Sequence, residues 1–321
     1  LIKRLWSGVL VLFSVVTLVF FLFSFSFPNP ESMAVGQRTD ADTQNAIKQE
    51  FGLDKPLHQQ YFLFLNDISP LSFYGDEKLQ SEELNILVPI GLGKINMVVK
   101  TPYLRRSFQN REKTSTLLAQ SFKGTFILAL VAILFAAVVG IVLGVFSSLK
   151  VNSAIDQIVL FFSTLGISVP SFFSAIILAW LFGFVLHDYT GLNMTGSWTD
   201  IDPFKGSFYQ WKNLILPAIA LGVRPLSIFT LLTRSSMLET LNKDYIKTAV
   251  SKGFGQNYIL FKHALPNALN PVITVVSGWF ASLLAGAFFV EYIFNWRGLG
   301  KLTIEALEMN DLPVVMGSIL F

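Results

Sequence analysis

Apolar residues along this chain do not alternate with polar ones; they come in long uncharged blocks separated by charged or helix-breaking segments. Residues 5–27, 124–149 and 157–186 contain no Asp, Glu, Lys or Arg. Each is long enough to cross about 30 Å of hydrocarbon as a helix, which takes roughly 20 residues. A fourth block covers 214 to about 232, a fifth 272–290, and a sixth runs from 313 to 321. The pattern predicts an all-α polytopic membrane protein with about six transmembrane helices. A helix ending in lipid leaves carbonyls unpaired, so the sixth block is expected to continue past residue 321, and Leu1 in place of Met agrees with a shortened chain. The first block follows Lys3 and Arg4 as a signal peptide would, but it is longer than a signal core and has no small-residue cleavage site before Pro28. It reads as an uncleaved anchor with its N-terminus inside.

This anchor, residues 1–27, is followed by a predicted extracytoplasmic insert at 28–115 and a membrane core at 116–321 containing a cytoplasmic loop at 239–271. Within the insert, 43–51 and 57–65 are expected to be helices separated by Gly52 and Pro56, whereas 71–101 has no periodicity that assigns it. Residues 243–271 carry Lys243, Lys247, Lys252 and Lys262 against the single acid Asp244, and short Lys-rich loops stay on the cytoplasmic side. The last outer loop has the opposite balance, with Glu291, Glu305, Glu308 and Asp311 against Arg297 and Lys301.

Composition narrows the function. A chain of 321 residues that is 52% hydrophobic and 14% charged, with 31 phenylalanines, has too much apolar side chain for a water-soluble core. The net charge of +3 comes from loop lysines and the cluster Arg105, Arg106, Arg111 and Lys113, with none of the interleaved aromatics of a nucleic-acid strip. Nucleic acid is therefore excluded as a partner. The absence of cysteine removes disulfides and thiolate chemistry, and His58, His187 and His263 are not spaced as metal ligands. Gly93-Lys94 and Gly300-Lys301 lack the earlier glycine and the following hydroxyl residue of a phosphate loop. With no catalytic constellation to nominate, the chain is read as a transport component rather than an enzyme, with no cofactor or metal of its own.

The segment Lys247-Thr248-Ala249, then Gly253, then His263-Ala264-Leu265-Pro266 has the spacing E-A-A, three residues, G, nine residues, I-x-L-P. It resembles the EAA loop of ABC-importer permeases, with Lys247, Thr248 and His263 departing from the general letters. The variant Y-x-x-T-A-x-x-K-G followed by R/K-H-A-L-x-N-A-L is similar to the dipeptide/oligopeptide/nickel branch. It is matched by Tyr245, Thr248, Ala249, Lys252, Gly253, Lys262, His263, Asn267 and Ala268. Three further stretches resemble the B-type subunit of that branch: Phe51 through Leu57 with Gln60-Tyr61, Thr233 through Glu239, and Glu291-Tyr292-Ile293-Phe294 to Gly300. Departures fall at Phe27-Pro28-Asn29-Pro30, at Arg297 where the family has Pro, and at the longer insert around 71–101.

The resemblance implies a permease subunit of an ATP-driven importer of peptides or a related small solute in the bacterial inner membrane. Its implied partners are a second homologous permease, two ATP-binding subunits that hold ATP and Mg, an extracytoplasmic solute-binding protein, and membrane lipid. Tyr245, Thr248, Ala249, Lys252, Gly253, His263, Pro266 and Asn267 would form the element that meets the ATPase. Physical reasoning supports such a lever, because Gly253 can take positive φ between two short helices and Pro266 is expected to end or bend the second. The competing class is a self-contained secondary transporter or channel, which would carry internal repeats and several ionisable residues at mid-membrane. No repeat is visible here, and Arg224 is the one such residue. Arg224 is too deep to snorkel and is expected to face protein or a wet translocation path. Gly140 and Gly144 are read as a small-residue packing face, Gly166 with Pro170 as a break in the third block, and Phe20 to Phe27 as lipid-facing bulk.

Overall fold

The computed structural model describes residues 2–26, 52, 54–74, 86–91, 96–202 and 206–321. The helix expected at 43–51, the departure at 27–30 and the Gly93-Lys94 pair lie outside them. In chain order the elements are α1 (Ile2–Ser26), α2 (Leu57–Ile68), β1 (Leu71–Tyr74), β2 (Ile86–Gly91), β3 (Asn96–Lys100), α3 (Thr114–Leu149) and α4 (Ala154–Ser168). They continue with α5 (Ser171–Leu178), β4 (Thr199–Asp202), β5 (Gly206–Tyr209), α6 (Ile215–Leu241) and α7 (Asp244–Ser251). The last four are α8 (Leu265–Gly286), α9 (Phe288–Ile293), α10 (Leu299–Glu308) and α11 (Leu312–Leu320). The chain divides into two compact units, residues 1–121 with 302–321, and residues 122–301.

In the first unit α1 is not uniformly lipid-facing. Phe20 and Phe23 are buried while Phe25 is 73% exposed, so part of the expected lipid-facing run is core. Val16, Val19, Phe20 and Phe23 repeat at helical spacing, and Phe20 packs on Phe64 and Tyr61 of α2, while Val19 and Phe23 join Val314 and Val315 of α11. The segment 71–101 holds an antiparallel sheet of order β1-β3-β2, with Leu71 opposite Val99 and Ile90 opposite Met97. Its pattern misleads because β1 buries Ser72 and Tyr74 and exposes Leu71 and Phe73. The Ser72 hydroxyl is satisfied by the Asn66 and Ser69 carbonyls, which lets the polar side chain face inward. Buried Lys100 donates to the Asp67 carbonyl, and burial pushes its pKa down to about 8. The Asp67 carboxylate pairs with Arg105 at 3.2 Å.

Among the described residues, four helices are long and apolar enough to cross a membrane: Trp6–Phe25, Thr114–Leu149, Trp211–Leu241 and Gln256–Ala285. A fifth is present if α4 and the run Ser171–Val185, bent by 109°, make one span. The bend falls at Val169 and Pro170, as Gly166 and Pro170 led one to expect. Val169 is extended (φ −79°, ψ 127°) because the ring after it disfavours helical geometry. The block at 313–321 is a helix of nine residues, shorter than a span. The fourth helix outruns its apolar block, since the polar stretch after 232 still buries Thr233, Met237 and Thr240. Gly140 and Gly144 let α3 lie against α6: a Cβ on Gly140 would stand 2.8 Å from the Leu226 carbonyl oxygen, and one on Gly144 2.6 Å from that of Thr230. On the β4–β5 hairpin and its exit, Trp198, Tyr209 and Trp211 cluster, with Tyr209 and Trp211 stacked at 5.9 Å. Such aromatics suit the membrane–water interface at the start of a span.

Glu291, an outer-loop charge by its place in the sequence, is fully buried. Its carboxylate accepts from the Thr125 hydroxyl at 2.7 Å, Gly300 N–H at 2.7 Å and Lys301 N–H at 3.2 Å. The latter two donors belong to the first turn of α10, where unpaired amides favour an anion. Trp296 Nε1 donates to the Gly124 carbonyl at 3.0 Å beside it, so this polar knot fixes the chain after α9 to α3. Burial pushes the Glu291 pKa up to about 7, against the lowering pull of those three donors. The folded state thus holds a proton that the unfolded chain releases near pH 4.5. Glu291 contributes its full stability below that pH and loses it as pH rises towards 7. Glu291→Gln is expected to abolish this residue's share of the pH slope of thermal unfolding in detergent. Glu291→Ala, which leaves buried donors unpaired at about 1–3 kcal/mol each, is expected to lower the midpoint at every pH.

Candidate functional site: an exposed loop on a buried seat

Between α6 and α8 the chain leaves the long helices and returns through two short ones. α6 stops at Leu241, and Lys243 (φ −73°, ψ 149°) turns the backbone into α7. α7 is amphipathic: Ile246 and Ala249, three apart, are buried, while Tyr245, Lys247, Thr248 and Val250 are exposed. Its end is a Schellman motif. Gly253 N–H donates to the Val250 carbonyl at 2.9 Å and Phe254 N–H to the Ala249 carbonyl at 3.3 Å, with Gly253 at φ +79°. Glycine is the residue that takes this left-handed position without strain.

From Gln256 the chain climbs through a short helical turn and a π-helical turn, Ile259–Ala264, directly into α8. Pro266, expected to end or bend the second helix, does not end it; it falls in the first turn of α8 and the helix runs on. The wide π-turn before it accommodates the missing N–H and the bulk of the ring.

Two faces result. On the inner face Ile246, Ala249, Ile259, Leu260, Ala264 and Ala268 form one apolar cluster with Val145 of α3 and Met237 of α6. On the outer face, residues 251–258 are exposed without interruption. Phe254 and Tyr258 stack there at 5.0 Å and 25°, and His263 meets both rings, at 6.1 and 5.5 Å. His263 Nε2 is buried and, among the described residues, without a hydrogen-bond partner. The ion pairs Lys247–Asp244 (2.9 Å) and Lys243–Glu239 (3.0 Å) are exposed and contribute little to stability.

The sequence-predicted residues are thus mostly brought together, in different roles. Tyr245 and Lys252 are exposed, and Ala249 belongs to the seat. Thr248 spends its hydroxyl on the Asp244 carbonyl at 2.9 Å, and the Asn267 amide donates to the His263 carbonyl at 2.8 Å. Gly253 forms the turn, and Pro266 is exposed at the base of α8. Arg224 stands apart on α6, exposed, with its guanidinium 5.9 Å from the Trp279 ring of α8. Phe254 and Tyr258, the aromatic tip of the loop, were not singled out from sequence, although their i,i+4 spacing across Gly255 was there to be read. Nor was Val145, whose apolar character is indistinguishable from the rest of its span, and Met237 entered only within the matching stretch Thr233 through Glu239.

Two family models and relatives of full length match this chain. Residues 140–321 match the family model described as "Binding-protein-dependent transport system inner membrane component". Residues 1–129 match "Binding-prot-dependent transport system membrane comp, N-term". The chain is similar to the dipeptide transport system permease protein DppB of Bacillus subtilis (strain 168), 33% identical over 100% of this chain and 89% of that one. It is also similar to the glutathione transport system permease protein GsiC of Pectobacterium atrosepticum, at 31% over 99% and 90%. Among solved structures, the MetNI methionine ABC transporter in inward facing conformations is similar at a TM-score of 0.45 and 17% identity, over 63% of this chain and 88% of that chain.

The seat can be tested without any partner. Ala249→Asp buries an unpaired carboxylate, which costs about 1–3 kcal/mol or more. Trypsin cleavage after Lys247 and Lys252 in detergent is expected to accelerate in that variant and to stay at its original rate in Thr248→Ala. Equal protection of Ala249→Asp would mean that the cluster does not hold the loop.

Proposed function

The chain belongs to the family of binding-protein-dependent transport system inner membrane components, and from that premise we propose that it is the permease subunit of a peptide importer worked by separate ATP-binding subunits through the loop at 239–271. The observation that carries this reading is the pairing of a fully exposed tip, 251–258, with a buried seat on α3 and α6. An exposed aromatic patch on a polar loop fits a groove in a soluble partner, since aromatics are enriched at the core of such interfaces. Motion of the partner then reaches two membrane helices through a packed contact instead of a flexible tether. ATP and Mg belong to the ATP-binding partners, and hydrolysis drives the exchange between inward and outward access.

The loop faces the cytoplasm in this reading, and Pro28 to about residue 115 faces the other side, where a solute-binding protein delivers substrate. A second permease completes the path. Two features support a wet or protein-covered face on α6 and α8: Arg224 is exposed at membrane depth, and α8 exposes Asn270, Thr274 and Ser277 along one side. A guanidinium on a lipid face is costly, so such a face turns to a cavity or a partner. Peptides are the proposed substrates, as for the dipeptide permease relative.

Mass spectrometry of what co-purifies with the tagged chain in gentle detergent tests the reading. Recovery of an ATP-binding protein and a second permease is expected, with the ATP-binding protein lost from Gly253→Trp. That variant strains the left-handed turn by about 1–2 kcal/mol, but its Cβ meets no atom within 4 Å, so the chain itself should fold. A chain recovered only with itself would instead indicate a self-contained carrier or channel. Arg224→Gln at normal expression is expected to depress peptide uptake while both partners are retained; undiminished uptake would assign Arg224 to packing alone.

A further inference from the structure

Just inside the loop's seat, three helices meet at one buried carboxylate. Asp156 lies in the first turn of α4 with a side chain 1% exposed. Its two oxygens take a bidentate grip from Arg234 of α6, Nε to Oδ1 and Nη2 to Oδ2, each at 2.7 Å. Oδ1 also accepts from the Ser147 hydroxyl at the end of α3, and Oδ2 from the Asn152 N–H at 2.9 Å. Asn152 is left-handed (φ +60°), and Ser153 caps α4 by accepting from Asp156 N–H. The turn between α3 and α4 is thereby built around the carboxylate, as a reciprocal cap of the kind that fixes helix entry.

The position of this cluster relative to the seat gives it a role. The loop rests on Val145 and Met237. Val145 is two residues from Ser147 on α3, and Met237 is one helical turn from Arg234 on α6. Both helices under the loop thus hold Asp156 within one turn of their seat residue, Arg234 on the same face of α6 as Met237 and Ser147 on a different face of α3 from Val145. α4 itself contributes nothing to the seat. Along its length it packs on α6, where a Cβ on Gly166 would run into the Ser227 hydroxyl oxygen, and at its first turn Asp156 adds a polar link to both α3 and α6. A bidentate carboxylate–guanidinium pair fixes direction as well as distance, which apolar packing along a helix does not.

We propose that Asp156 and Arg234 are positioning residues for transport: the pair ties the cytoplasmic end of α4 to α3 and α6, so that displacement of the loop moves α4, with the sharply bent segment beyond it, as one body. This rests on the coupling role given to the loop above. The sequence alone offered Arg234 only as part of a matching stretch and gave Asp156 no role, because the contact joins residues 78 positions apart.

Two measurements on the assembled transporter in liposomes test the pair. The first compares the paired apolar variant, Asp156→Leu with Arg234→Met, with the unaltered protein. Apolar replacement of a buried ion pair can preserve much of the stability, though the Ser147 hydroxyl and the Asn152 N–H lose their acceptor. A lower unfolding temperature with assembly kept is therefore expected, while peptide moved per ATP hydrolysed falls at least roughly fivefold, the lower end of typical coupling effects. An assembled variant with undiminished peptide per ATP would reduce the pair to a structural fastening and overturn the proposal.

The second needs no change at the pair. The chain has no cysteine, so spin labels can be placed at Ile155 and Val250, both exposed. Their separation is expected to stay constant between nucleotide-free and ATP-bound states while the distance from Val250 to a label on the ATP-binding subunit's core changes. A separation between Ile155 and Val250 that shifts by several ångström with ATP would overturn the one-body link even if the apolar variant failed to assemble. Failure of the coupling reading itself has a different signature, in which no ATP-binding subunit co-purifies and the Gly253 variant behaves like the unaltered chain.

Discussion

The contact on which the account depends is the apolar seat beneath residues 244–268, where Ile246, Ala249, Ile259 and Leu260 close over Val145 and Met237. An exposed loop of lysines and aromatics could be an ordinary surface feature. Packed against two long helices, it becomes a rigid extension of them, because close-packed interiors transmit displacement instead of absorbing it. The Schellman turn at Gly253 serves the same end by presenting Phe254 and Tyr258 at a fixed angle from that base. Sequence, turn geometry and burial therefore converge on a rigid part with one exposed and one packed face, which is what the proposed coupling role requires.

Polar clusters do the remaining positioning. Asp156 and Glu291 are buried carboxylates in the second unit, each satisfied by several donors from more than one element. Leaving a buried polar group unpaired costs more than pairing it gains, so each cluster admits one arrangement of the chain around it. In the first unit Asp311 has a comparable place, holding Ser107 and the Phe108 N–H.

Much of this was legible in the residues. The uncharged blocks gave the spanning helices, Gly140 and Gly144 their packing face, Pro170 the break, and the spacing from Lys247 to Pro266 the loop. What escaped reading has physical causes. The sheet at 71–100 reverses the usual rule by burying Ser72 and exposing Phe73, since local carbonyls satisfy the hydroxyl. Glu291 looks like a surface charge until the amides of α10 are brought to it. Phe20 and Phe23 look like lipid-facing bulk because sequence does not say which face of α1 meets α2 and α11. Pro266 reads in the sequence as a residue that ends or bends the second short helix because the compensating π-turn has no simple sequence mark. In each case a long-range contact or a local backbone adjustment decides, and hydropathy is blind to both.

The most direct test of the central claim is a photo-crosslinking amino acid placed at Tyr258, in the tip of the loop, within cells producing the complete transporter. The account predicts a crosslink to an ATP-binding protein whose yield changes when ATP is bound but not hydrolysed. Crosslinks to lipid or to a second copy of this chain alone, independent of nucleotide, would contradict it.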